Sequence, residues 1–218
     1  MMRSICYIVG ACEPGKMLFL ERNGSMVIAA DGGLRYLKEQ GVKADLVVGD
    51  FDSLGYVPQG EEIVRHPVEK DDTDTMLAVK LGLERGYRKF VLYGCVGGRL
   101  DHTYANLQTL VYLARHGAQG YLMGDGMVSS AICSGEIHFP AQLSGTVSVF
   151  CPDGTAQGVN LRGLYYPLSD GELTSGFPLG VSNHFTGVDA CVSVENGTLL
   201  VMWEETAETL MERLTEKK

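Results

Sequence analysis

The feature that most constrains this chain is a repeat of short apolar runs, each ended by a loop rich in glycine or aspartate. Residues 5–9, 26–30, 46–48, 90–93 and 119–123 read as strands. Residues 34–40, 73–85 and 102–116 have helical spacing and stop at Gly41, Gly86 and Gly117. Strand, loop and helix in alternation argue for a parallel sheet covered by helices. In such sheets ligands sit beyond the carboxyl ends of the strands, which is where the polar clusters of this sequence fall. After about residue 130 the helical spacing vanishes. Apolar stretches at 146–151, 190–194 and 198–203 are separated by Gly, Pro, Asn and Asp turns, the pattern of a small antiparallel β domain, read as a sandwich. Residues 204–218 read as a short amphipathic helix or a tail. The expected division is an α/β domain over residues 1–130 and a β-sandwich domain over 131–218.

The charge balance narrows the function. Asp and Glu number 27 against 18 Lys and Arg, for a formal net charge of −9. Nucleic-acid binding needs a basic footprint, so it is not expected. An anionic substrate fits only with a cation in the site. The six cysteines include no C-x-x-C pair, so no zinc site is expected and the thiols read as reduced, in a cytoplasmic protein. His66, His116, His138 and His184 show no ligand spacing. No apolar run approaches the roughly 20 residues of a membrane span, and the first residues lack a signal-peptide pattern.

Aspartates mark three separated loops: Gly49-Asp50-Phe51-Asp52-Ser53, Lys70-Asp71-Asp72-Thr73-Asp74 and Gly97-Gly98-Arg99-Leu100-Asp101-His102. Magnesium takes oxygen ligands, commonly one or two carboxylates with waters and substrate phosphates. Carboxylates gathered from several strand ends therefore suit a metal–phosphate site. Lys70 and Arg99 suit phosphate oxygens, and Gly97 and Gly98 allow close backbone approach ahead of a helix N-terminus. The plainer reading is that Asp71 or Asp72 caps the helix near Thr73 and Asp101 caps the next. For any one residue the two readings stand level. For all three loops together, mutual repulsion of the carboxylates favours a bound cation. No Walker-type or G-x-G-x-x-G sequence is present.

In order and spacing, Asp31-Gly32-Gly33, Gly49-Asp50-Phe51-Asp52-Ser53, Lys70-Asp71-x-Thr73-Asp74, Gly98-Arg99-x-Asp101-His102 and Ser182-Asn183-His184-Phe185 resemble the motifs of the thiamine pyrophosphokinases. The likeness spans residues 5–203. It implies a Rossmann-like catalytic domain followed by a β-sandwich, a homodimer binding thiamine where subunits meet, and transfer of diphosphate from ATP to thiamine with release of AMP. Carried over, Asp50, Asp52 and Asp74 hold Mg2+. Asp71 and Asp101 complete the acidic set, with Asp71 the first candidate to steer or accept the hydroxyl proton. Lys70, Thr73 and Arg99 contact phosphates, and Arg99 neutralises charge in the transferred group. Asp31, Gly32 and Gly33 lie near the nucleotide, and Ser182 and Asn183 bond the aminopyrimidine. Departures are the long segment 160–180 and His184 after Asn183. Trp203 reads as a core or interface anchor before a thiamine-stacking residue, and His102 as an orienting or capping residue before an acid or base. Rival readings are a pterin-alcohol diphosphokinase, a magnesium-dependent phosphohydrolase and a silent nucleotide sensor.

Overall fold

A computed structural model describes residues 4–19, 24–49, 62–65 (backbone) and 72–215. The chain divides into two compact units. The first holds residues 1–109, 120–125 and 207–218, and the second 110–119 and 126–206.

In the first unit the elements are β1 (Cys6–Val9), β2 (Met26–Ala30), α1 (Gly33–Glu39), β3 (Leu46–Gly49), β4 (Glu62–Arg65), α2 (Asp74–Glu84), β5 (Lys89–Tyr93), the start of α3 (Leu100–Arg115) and β6 (Gln119–Gly124). The strands lie in the order β6-β5-β1-β2-β3-β4. β1 to β5 are parallel, with Cys6 level with both Met26 and Phe90. β1, β2 and β3 are buried throughout, as expected of strands covered on both faces, and α1 and α2 pack on them. The direction of winding reverses beside β1: β2, β3 and β4 lie on one side and β5 on the other. The carboxyl ends of β1 and β5 therefore flank a topological switch point, where a crevice opens in folds of this kind. The parallel sheet and three helices agree with the sequence pattern. β4 was not anticipated: its four residues carry charges at both ends, and it occupies the sheet edge, where charge is tolerated and often useful.

The second unit contains β7 (Met127–Cys133), β8 (Glu136–Phe139), β9 (Thr146–Phe150), β10 (Thr155–Arg162), β11 (Leu168–Thr174), β12 (Gly180–His184), β13 (Ala190–Ser193) and β14 (Thr198–Glu204). They form two antiparallel sets, β12-β9-β14-β7 and β11-β10-β13-β8. Aromatic rings join the sets: Phe139 of β8 meets Trp203 of β14 edge-on at 5.1 Å and Phe185 at 5.2 Å. Trp203 is 0% exposed, and its indole N–H donates to the buried Glu205 carboxylate at 2.7 Å. Trp203 is thus a core anchor, the first of its two readings.

The last element, α4 (Ala207–Thr215), returns to the first unit. It buries Leu210, Met211 and Leu214. The Tyr7 hydroxyl reaches Met211 Sδ at 3.9 Å, and Lys16 pairs with Glu208. Ala207–Thr215 therefore form a packed helix, the first of the two readings for this end of the sequence. Among the described residues, no helix is long and apolar enough to cross a membrane.

Candidate active site

Backbone geometry at the strand ends of the first unit builds the site. After β2 the chain turns at Asp31, which adopts φ 50° and donates its N–H to the Val48 carbonyl at 2.8 Å. Gly33 then opens α1 against the end of β1. A Cβ there would stand 1.9 Å from the Val9 carbonyl oxygen, so only glycine permits this approach. β3 ends at Gly49, whose own Cβ position lies 3.3 Å from the Asp31 Cα. Gly49 therefore packs beside Asp31.

At the switch point, the loop after β5 is clamped from several elements. Gly10 N–H donates to the Tyr93 carbonyl at 2.8 Å and Cys12 N–H to that of Gly94 at 3.0 Å. The Cys12 thiol donates to the Gly97 carbonyl at 3.3 Å. From α3, the buried Asn106 amide donates to the Cys95 carbonyl at 2.7 Å, and the Thr103 hydroxyl accepts from Gly97 N–H at 3.2 Å. Thr75 of α2 meets the Cys95 sulfur at 3.9 Å. Burial pushes the Cys95 thiol up to about 12, so it stays protonated and structural. Gly97 and Gly98 take φ 99° and 65°, with open space at the Gly97 Cβ position and the Cys12 sulfur 3.6 Å from that of Gly98. That clamped frame with two glycines at positive φ, leading into a 16-residue helix, suits an anionic group.

Arg99 and Asp101 pair side by side: Nε to Oδ1 is 3.1 Å and Nη2 to Oδ2 is 2.6 Å. Both are well exposed, at 71% and 63%. The Arg99 hydrogen bond holds the Asp101 carboxyl below the usual carboxylate range, with the His102 N–H helping. A carboxylate so held is a poor proton acceptor while the pair is intact. His102 orients through its backbone N–H, which donates to Asp101 at 3.0 Å.

Thr73 caps α2, its hydroxyl oxygen accepting from Met76 N–H at 3.2 Å. The cap is thus Thr73 itself, not Asp71 or Asp72. Asp72 instead forms a two-pronged pair with Lys80 at 2.7 and 2.8 Å. Asp74 is the first helical residue, where a carboxylate is favoured by the helix dipole. Asp50, Asp52, Lys70 and Asp71 lie outside the described residues, as does His66.

In the second unit, Ser182 is exposed on β12 at φ 57°, its N–H donating to Ser148 Oγ at 3.0 Å. Asn183 is only 2% exposed. Its carbonyl oxygen accepts from Tyr166 N–H and His184 N–H, each at 2.9 Å, and its amide donates to the Tyr166 carbonyl at 2.8 Å. Asn183 thus fixes the backbone that carries the exposed rings of Tyr165 and Tyr166, which meet edge-on at 4.8 Å. Sequence reasoning missed Cys12, Thr75, Thr103, Asn106 and the tyrosine pair. Only the helical spacing of Thr103 and Asn106, three apart on one face, could have signalled them.

Comparison with known proteins matches the chain in two successive parts. Residues 19–122 match the family model described as thiamin pyrophosphokinase, catalytic domain. Residues 134–199 match thiamin pyrophosphokinase, vitamin B1 binding domain. A curated thiamine pyrophosphokinase of Bacillus subtilis (strain 168) is 25% identical over 182 residues, covering 80% of this chain and 85% of that protein. The solved thiamine pyrophosphokinase from Bacillus subtilis superposes with TM-score 0.80 at 22% identity, covering 92% of this chain and 99% of the other, a likeness of fold. The thiamin pyrophosphokinase from Geobacillus thermodenitrificans gives 0.77 at 25% identity, covering 93% and 98%. With both domains matched in order along most of its length, the chain belongs to the thiamin pyrophosphokinase family.

Proposed function

We propose that the chain transfers the diphosphate of ATP to the hydroxyl of thiamine, giving thiamine diphosphate and AMP. Family membership supports the activity. The observation that carries the site is the clamped Cys95–Arg99 loop at the switch point, opening α3. The α/β half is read as Rossmann-like, with ATP phosphates at this loop. Gly97 N–H is already bonded to Thr103, so Gly98 N–H is the phosphate-facing donor. Arg99 leaves Asp101 to meet a phosphate, and Thr73 keeps its O–H to donate while its oxygen caps α2. Asp31, Gly32 and Gly33 border the nucleotide, and Lys70 adds positive charge.

The hydroxyl oxygen of thiamine attacks the β-phosphorus in line. The bond from that phosphorus to the α–β bridging oxygen breaks, and AMP leaves with the electron pair. The hydroxyl proton passes to Asp71, with Asp101 as the alternative once Arg99 has moved. Such transfers depend on positioning and charge neutralisation. Asp74, with Asp50 and Asp52, would hold Mg2+. The fit is supported by Asp74 at the head of α2 and by the end of β3, where Gly49 lies beside Asp31. When bound, the ion supplies charge neutralisation at phosphate oxygens.

Ser182 and the Tyr165–Tyr166 pair are the thiamine-facing groups of the second unit, with Asn183 holding the pair in place. Exposed Phe177, Leu179 and Val181, just ahead of Ser182 in sequence, support a homodimer through this region. Six free thiols support a cytoplasmic setting. Formation of AMP and thiamine diphosphate from ATP and thiamine, with and without Mg2+, tests the reading. Asp50→Asn should cut turnover about a hundredfold or more while leaving the fold intact. Near-normal Mg2+-dependent turnover in that variant defeats the metal assignment.

A further inference from the structure

The second unit carries a cluster that the proposed reaction does not use. Glu136 and His138 stand two apart on β8, hence on one face, and Cys191 of β13 lies directly opposite His138 in the antiparallel register. His138 Nε2 is 2.9 Å from Glu136 Oε1, and the Cys191 thiol donates to Glu136 Oε2 at 3.8 Å. One ligand atom from each of the three lies within 4.8 Å of the others. Glu136 and His138 are exposed and Cys191 is half-buried. Sequence spacing could not reveal this set, because 53 positions separate His138 from Cys191 and only strand pairing closes the gap.

We infer that Glu136, His138 and Cys191 form a site for a zinc-class divalent ion with an open fourth position. Zn–N, Zn–O and Zn–S bonds of about 2.0–2.3 Å in tetrahedral array put ligand atoms about 3.3–3.8 Å apart. The present separations, 2.9 Å and 3.8 Å with all three atoms within 4.8 Å of one another, bracket that range. A mixed imidazole, thiolate and carboxylate set suits zinc and cobalt, whereas magnesium and calcium prefer all-oxygen sets. Binding releases the Cys191 proton to solvent. The thiolate and carboxylate then balance the charge of the ion, and the imidazole binds neutral. Burial and the Glu136 carboxylate hold the Cys191 thiol above its usual range, against a smaller opposite effect of Arg162 across the β10 pairing, so the ion itself draws off the proton. Exposure of Glu136 and His138 leaves the fourth position to water or an incoming ligand.

Cobalt titration of the full-length reduced chain, in excess Mg2+ to occupy oxygen-only sites, tests the inference. One equivalent should produce a thiolate-to-cobalt charge-transfer band in the near ultraviolet, bleached by Zn2+. Cys191→Ser should abolish the band, and His138→Gln should weaken cobalt binding about tenfold or more. Cys133→Ser, which alters the exposed cysteine, should leave it intact. Far-UV circular dichroism confirms that each variant is folded, and diphosphate transfer should persist in Cys191→Ser. Absence of the band at one equivalent, or its survival in folded Cys191→Ser, overturns the site.

Discussion

Asn183 offers a decisive test, because its geometry assigns it a task different from the one its motif suggests. The side chain makes three hydrogen bonds of 2.8–2.9 Å, two to the Tyr166 backbone and one to His184 N–H. Asn183→Ala leaves all three backbone groups without their partner. Each such bond contributes about 1 kcal/mol net, and an unmet buried group costs more. Water recovers part of the loss near the exposed tyrosines, so the expected destabilisation is about 2–4 kcal/mol. For a chain of this size that lowers the melting temperature by about 5–15 °C. Asn183→Asp keeps both accepted bonds and loses the donated one, so it should cost about half as much. Urea and thermal unfolding followed by Trp203 fluorescence suit the measurement, since Trp203 is the sole tryptophan and lies in the same unit. On the proposed reading, the KM for thiamine should rise in step with the lost stability, as the tyrosine pair loses its anchor. Asn183→Ala within about 0.5 kcal/mol of the parent, with a raised KM, would refute the clamp and return Asn183 to direct contact with thiamine.

Gly33→Ala should destabilise the first unit by about 3 kcal/mol, because the new methyl must displace the Val9 carbonyl; chemical denaturation followed by far-UV circular dichroism reads it. Asn106→Ala should cost about 1–3 kcal/mol by orphaning the buried Cys95 carbonyl, and should raise the KM for ATP by loosening the glycine loop. The Asp101 carboxyl should titrate below the ordinary carboxylate range and return to it in Arg99→Ala, followed by carboxyl-carbon NMR. Its folded pKa is depressed, so the pairing contributes fully above the unfolded carboxylate pKa and is lost as pH falls through the depressed value.

Period and punctuation made the first unit legible. β1, β2 and β3 are apolar runs ended by glycine or aspartate, β5 is one after its first residue Lys89, and α2 and α3 carry helical spacing ahead of glycine stops. β4 was hidden because Glu62 and Arg65 bracket only two apolar residues. In the second unit, strands such as β11 alternate weakly and mix Ser, Asp, Gly and Glu with few apolar positions, so only the β character was readable. The site was legible where a motif marks a loop and illegible where a role depends on distant pairing. Thr73 shows a local cap that any N-terminal pattern could suggest. Asn183 shows the opposite: two of its three bonds go to Tyr166, 17 residues upstream, and no spacing rule finds them. Cys12 reaching Gly97 across 85 positions is a further case.

The turn at Asp31 has a bearing on engineering. An L-residue at φ 50° carries about 1 kcal/mol of conformational cost that glycine would not. Protein stabilisation by relieving such positions would therefore begin at residue 31 and replace the side chain with hydrogen. If that carboxylate borders the nucleotide as proposed, the toughest version of this chain and the working version differ there, and a screen run on heat resistance alone would select the wrong one.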